Sequence, residues 1–220
     1  VLEHDPQQGP EEAPENGPSG SDDADPSADR DGFVRMALLF YGVMGCVALF
    51  WRMWTPGASI LHPGAQVEAA VGLETALGAG LVMGGVALAV SELLTRFSSL
   101  GEALADTLGE GLIGLGRADA VLLALASGIG EEMFFRGALQ PAVGIVWASL
   151  IFGACHFLPR RELALWSLYA VVMGFAFGWL FETTGHLVAP IAAHALVNGV
   201  NLPRLARRAE AKRAAAPGGD

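Results

Sequence analysis

Apolar residues in this chain come in runs about as long as a bilayer crossing, not in the alternation of a half-buried soluble surface. Six such runs follow a polar opening: 33–54, 71–94, 118–140, 142–158, 163–181 and 187–202. Punctuation separates them. Pro56-Gly57 follows the first, Pro141 closes the third, Pro159-Arg160-Arg161 the fourth, and Pro203 the sixth. Trp51, Arg52 and Trp54 give the end of the first run an interfacial character. Between the second and third runs, 95–117 mixes Glu102, Asp106 and Glu110 with Leu and Ala, the pattern of a surface-lying amphipathic helix. The fourth and sixth runs are short for a crossing at about 1.5 Å per residue. The expected fold is an all-α polytopic membrane helix bundle of about six transmembrane helices.

Charge refines this picture. The whole chain carries −10, but residues 1–32 hold ten acids against Arg30, so nearly all of the excess sits in that opening segment. It is rich in Pro, Glu, Asp, Gly and Ser, and buries too little apolar surface to offset its ordering entropy. Residues 1–32 are therefore read as a disordered acidic tail, without the basic start and apolar stretch of a cleavable signal peptide. The transmembrane helical domain follows over 33–203, and 204–220 reads as a basic cytoplasmic tail. With both termini cytoplasmic, eleven Arg and Lys fall inside and Arg52 alone outside, a strong positive-inside bias. The acidic balance argues against nucleic acid as a partner. Cys46 and Cys155 lie within apolar runs and read as small residues packed between helices, not as a disulfide. The pairs Gly80/Gly84 and Gly174/Gly178 suit close helix packing and carry no chemistry of their own.

The informative positions are polar groups inside the apolar runs. An ionisable side chain at the centre of an isolated spanning helix costs about 2.5–3.5 kcal/mol, so Glu131, Glu132 and Arg136 together cost roughly 8–10 kcal/mol before any pairing. Glu132 and Arg136 are four apart and share a helix face, where they can pair. Glu131 points about 100° away from Glu132 and is left available for other work. A purely structural ion pair is the competing reading of these three residues. His156 in the fourth run, with His194 and Asn198 four apart in the sixth, place two imidazoles and an amide on two further helices. Counted from helix ends, Glu131 falls near mid-membrane and His156 near the cytoplasmic end, about 10 Å or more apart in depth. His62, His186 and Glu182 receive no role.

Three motifs in order resemble the CAAX protease and bacteriocin-processing family of membrane peptidases. Glu131-Glu132-Met133-Phe134-Phe135-Arg136 resembles its two-glutamate-then-arginine motif. Phe152 four residues before His156, and His194 four residues before Asn198, resemble its second and third. The resemblance covers 118–203, which it marks as a peptidase core; the first two helices and the acidic tail lie outside it. It implies a glutamate-type, metal-independent intramembrane endopeptidase. Glu131 and His156 would activate a water for attack on a peptide carbonyl. His194 and Asn198 would donate to the developing oxyanion, while Glu132 and Arg136 hold the helix. Contact between Glu131 and His156 is expected from the resemblance and opposed by the depth arithmetic.

No cofactor and no metal is called for on this reading. The partners are a protein or peptide substrate at the membrane and the lipid bilayer, and the location is the plasma or inner membrane. Two alternatives from other mechanisms stay open. Glu and His are also zinc ligands, although the chain has no His-Glu-x-x-His motif. Buried Glu and His also serve transporters and proton relays, although no inverted repeat is evident. A non-catalytic membrane scaffold would keep the helices but has less need of all three motifs. The candidate substrates on this reading are a prenylated protein, a peptide under maturation or a C-terminal sorting anchor.

Overall fold

In a computed structural model, residues 26–55, 59–60, 71–157 and 161–216 are described, and every regular element among them is helical. Seven α-helices run in the order α1 (Pro26–Met53), α2 (Leu73–Phe97), α3 (Ser99–Glu110), α4 (Arg117–Glu132), α5 (Gln140–Cys155), α6 (Arg161–Thr184) and α7 (Val188–Ala215). A π-helical segment, Met133–Leu139, joins α4 to α5. Most of the opening acidic segment, the loop holding His62, and Pro159-Arg160 lie outside the described residues. The first helix begins at Pro26, ahead of the expected start at Phe33.

Large apolar side chains face outward along these helices, among them Met36, Leu39, Val82, Trp147 and Leu168. Four helical stretches are long and apolar enough to cross a bilayer: Arg30–Met53, Leu73–Phe97, Arg117–Cys155 and Leu163–Thr184. The chain is thus a multi-pass membrane protein with four such stretches, where the sequence led us to expect about six crossings. Two features account for the difference. The apolar part of α7 is short, and its second half is charged. The third and fourth runs form one helical stretch, not two helices parted at Pro141.

That stretch folds back on itself. Pro141 sits inside helix, at the start of α5, and the widened π turns before it accommodate its ring and missing N–H. The break falls at Gly144, whose φ of 81° and ψ of 163° belong to a region that only glycine adopts without strain. Phe135 then meets Phe152, and Leu139 and Ala148 join them in one core cluster. The two limbs are therefore antiparallel about Gly144.

α2 and α7 pack with their backbones almost touching. A Cβ on Gly80 would lie 2.3 Å from the Ala189 carbonyl oxygen, and one on Gly84 3.0 Å from that of Ala193. Bare glycine at both positions is what lets α7, the carrier of His194, dock here. Contrary to expectation, α7 does not end at Pro203 but runs through it to Ala215. An interior proline costs a helix about 3 kcal/mol. The far half of α7 offsets this through tertiary contacts: Arg204 pairs with Glu92, Arg208 with Glu102 and Asp106, and Lys212 with Asp106. α3 is the separate helix expected in the mixed stretch, started by Ser98, whose hydroxyl accepts from the Gly101 N–H at 3.3 Å. The cysteines correct another expectation. Cys46 and Cys155 are free and exposed on the outer face, not packed between helices.

Candidate active site

Glu131 and Glu132 end α4 and are both buried, on adjacent faces as helical spacing requires. Glu132 is fully enclosed. Its Oε1 accepts from Arg136 Nη1 at 3.0 Å and from His194 Nδ1 at 2.7 Å. Arg136 is itself only 1% exposed; its Nη2 donates to the Gly174 carbonyl at 3.2 Å, and its guanidinium lies 4.5 Å above the Phe152 ring. A buried charge needs this density of partners, because any donor left over would carry its full desolvation cost.

The geometry gives Gly174 and Gly178 more than the packing role assigned from their spacing. Arg136 bonds the Gly174 carbonyl, and Gln140 Nε2 bonds the Gly178 carbonyl at 3.1 Å as well as Glu182 Oε1 at 2.9 Å. A Cβ on Gly178 would sit 2.6 Å from Gln140 Oε1. The carbonyls of the pair thus anchor Arg136 of the π segment and Gln140 at the start of α5, and bare glycine at 178 leaves room for the Gln140 amide.

His156 closes α5. Its Nδ1 lies 2.7 Å from the Phe152 carbonyl oxygen, which can only accept, so Nδ1 carries the proton and a neutral ring leaves a lone pair on Nε2. Nε2 points to Glu131 Oε2 at 3.9 Å, too far for a direct hydrogen bond. Oε2 is buried and has no protein hydrogen-bond partner. Two acceptors at this separation suit a shared donor between them, such as a water or a protonated group.

The depth arithmetic that parted these two residues fails for a definite reason. Glu131 lies 13 residues before Gly144 and His156 12 after it, so a turn at Gly144 returns them to one level. A turn at Pro141 would not.

The other motif residues gather nearby. His194 is held against Glu132, with its ring 5.5 Å from Phe177 and 6.4 Å from Phe152. Asn198, one turn further along α7, donates from Nδ2 to Ser127 Oγ at 2.8 Å. Glu131, Glu132, Arg136, His156, His194 and Asn198 thus occupy one neighbourhood formed by α4, the π segment, α5 and α7. His186 lies elsewhere, bonding the Val71 carbonyl oxygen. Among the described residues, no three His, Cys, Asp or Glu side chains are grouped to hold a metal ion.

Sequence reasoning missed Tyr41, Ser127, Gln140 and Phe177. Ser127 had a faint signal, since it lies one turn before Glu131 on the same face of α4. Tyr41 had none. It comes from α1, whose backbone at Tyr41 packs on Gly130, the residue before Glu131.

A helical membrane protein with buried carboxylates and imidazoles from separate helices around one cluster is the class that fold and site define. Residues 115–200 match the type II CAAX prenyl endopeptidase Rce1-like family, and this segment is a domain of that peptidase family. The chain is also 42% identical over 82 residues to the uncharacterized protein YpbD of Bacillus subtilis (strain 168). That alignment covers 36% of this chain and 42% of the relative, so the chain spans less than half of that protein's length. No solved structure matches the chain.

Proposed function

We propose that this protein is an intramembrane endopeptidase that hydrolyses peptide bonds of a membrane-associated protein or peptide, with Glu131 as general base. The observation that carries the reading is the pairing of Glu131 Oε2 with His156 Nε2 at 3.9 Å. A water held between these two acceptors has its oxygen lone pairs free for attack. As that oxygen bonds to the substrate carbonyl carbon, one water proton passes to Glu131. The carbonyl oxygen becomes an oxyanion. When the tetrahedral intermediate collapses, the C–N bond breaks and the proton held by Glu131 goes to the leaving amine, which restores the carboxylate.

His194 and Asn198 are the proposed oxyanion donors. Glu132 accepts from His194 Nδ1, which orients the ring and favours an imidazolium whose Nε2–H can donate. Asn198 spends one amide N–H on Ser127, which sets the plane of the amide and leaves the other N–H for substrate. Glu132 and Arg136 brace the cluster. In this reading the hairpin about Gly144 supplies two crossings and the short apolar part of α7 a sixth, which leaves both ends cytoplasmic, in line with the positive-inside bias, in a plasma or inner membrane.

The test compares the termini of membrane and released proteins from cells carrying this protein or its Glu131→Gln variant. At least one terminus present only with the unaltered protein is expected, and it should persist in membranes treated with a zinc chelator. Identical sets of termini would remove the peptidase reading. Cleavage abolished by chelation would move it to a metallopeptidase.

A further inference from the structure

We propose that Trp166 and Ser167 of α6 are positioning residues for His156, holding its imidazole in the orientation that faces Glu131. The inference rests on the reading in which His156 and Glu131 share the attacking water. His156 stands where its own helix can no longer hold it. α5 ends at Cys155, and His156 follows with a φ of −96° and a ψ of 5°, so its carbonyl has no partner in a further turn of α5. Ser167 supplies one. Its Oγ donates to that carbonyl at 3.0 Å, while the alternative acceptor on its own helix, the Leu163 carbonyl, lies at 3.3 Å. The side chain is held as well. The Trp166 ring meets the imidazole edge-on, with centroids 5.2 Å apart and planes at 86°, and the Phe152 ring lies 4.5 Å away at a tilt of 44°. Gly153 admits α6 to this position, since a Cβ there would run into Val171 Cγ2 and lie 3.2 Å from the Ser167 carbonyl oxygen.

These contacts matter because Nε2 has no direct partner to aim it. It faces Glu131 Oε2 across 3.9 Å, and a water between them is held only while the imidazole points along that line. The outer torsion of a histidine side chain is broad, so a ring tied only through Nδ1 to the Phe152 carbonyl oxygen can still swing. Two aromatic neighbours bound that swing. The Ser167 hydroxyl adds what the rings cannot, by fixing the peptide from which the imidazole projects. α5 carries the imidazole, but α6 decides where it points. Loss of either contact leaves His156 present and misdirected, which slows the chemical step without removing a substrate contact.

The experiment uses the full chain in lipid vesicles with isotope-labelled histidine. Solid-state NMR reads the ring carbon and nitrogen signals of His156, identified as the set that His156→Gln removes. The unaltered protein is expected to give one set. Trp166→Ala should add a second set or broaden the first beyond detection, and Trp166→Phe should restore the single set. On a peptide spanning the terminus found by comparing membranes, Trp166→Ala should lower kcat about three- to tenfold, the worth of one aromatic pair, with KM unchanged. Trp179→Ala, on the exposed face of the same helix, should leave both readouts as they are. Should Trp166→Ala fail to fold, Ser167→Ala decides, and should show the same second set. A single, unshifted His156 set in the folded variant, or a rise in KM with kcat unchanged, overturns the positioning role. Proteolysis surviving Glu131→Gln would instead overturn the general-base reading and leave the NMR result standing.

Discussion

His194 Nδ1 and Glu132 Oε1 lie 2.7 Å apart, and that single contact ties the third polar motif to the first. The same oxygen accepts from Arg136, so one fully buried carboxylate neutralises a guanidinium and orients an imidazole. Glu132 therefore works through Oε1 as the hub of the cluster, while Oε2 of both Glu131 and Glu132 has no protein hydrogen-bond partner.

Removing the hub should cost stability before it costs chemistry. Glu132→Ala leaves Arg136 buried without its counter-charge, and breaking a buried pair from one side costs about 3–5 kcal/mol. Chemical denaturation in detergent should show a loss of that size, whereas Glu131→Gln should stay close to the parent. Equal losses in both variants would contradict this division of roles.

The oxyanion assignment predicts a kinetic split. Asn198→Ala should lower kcat by about 10²–10³-fold with little change in KM, the usual cost of one lost oxyanion donor. Ser127→Ala, which only frees the Asn198 amide to rotate, should lower kcat by less. Both are measured on the substrate found by comparing termini. A rise in KM alone would mark Asn198 as a substrate-binding contact instead.

The glycines of α2 predict a contrast within one helix. Gly80→Ala drives a Cβ against the Ala189 carbonyl and should destabilise by about 1–3 kcal/mol, the range for overpacking. Gly85→Ala meets nothing within 4 Å and should be neutral or slightly stabilising. Thermal unfolding of the two variants side by side checks it.

The clasp between α3 and α7 should depend on acid. Burial raises the proton affinity of Asp106, but hydrogen bonds from Arg208 and Lys212 outweigh it and hold the carboxyl below its ordinary value of 3.8. A carboxylate with a depressed folded-state pKa stabilises the fold above the unfolded value, and this contribution is lost as pH falls through the folded one. Protection of the α3 amides against hydrogen exchange, taken relative to the intrinsic exchange rate at each pH, should thus be high at neutral pH and fall below about pH 4. Asp106→Asn should remove that acid dependence, and added salt should weaken the clasp at neutral pH because the groups are partly exposed.

The sequence by itself determined the membrane class, the polar residues that belong together, and the pairing of Glu132 with Arg136. Hydropathy runs and four-residue spacings are local quantities, and a bilayer makes every polar exception expensive enough to stand out. Only the tertiary structure decided where helices turn and which partners the polar groups take. By local rules Pro141 and Pro203 end helices, yet π turns carry helix through the first and contacts with α2 and α3 carry it through the second, and the chain bends at Gly144 so that His156 returns to Glu131. Tyr41 sits 90 residues before Glu131 in sequence and shares no motif with it. Its place at the cluster follows from α1 packing on Gly130, a side-by-side contact that no periodicity within a single helix encodes.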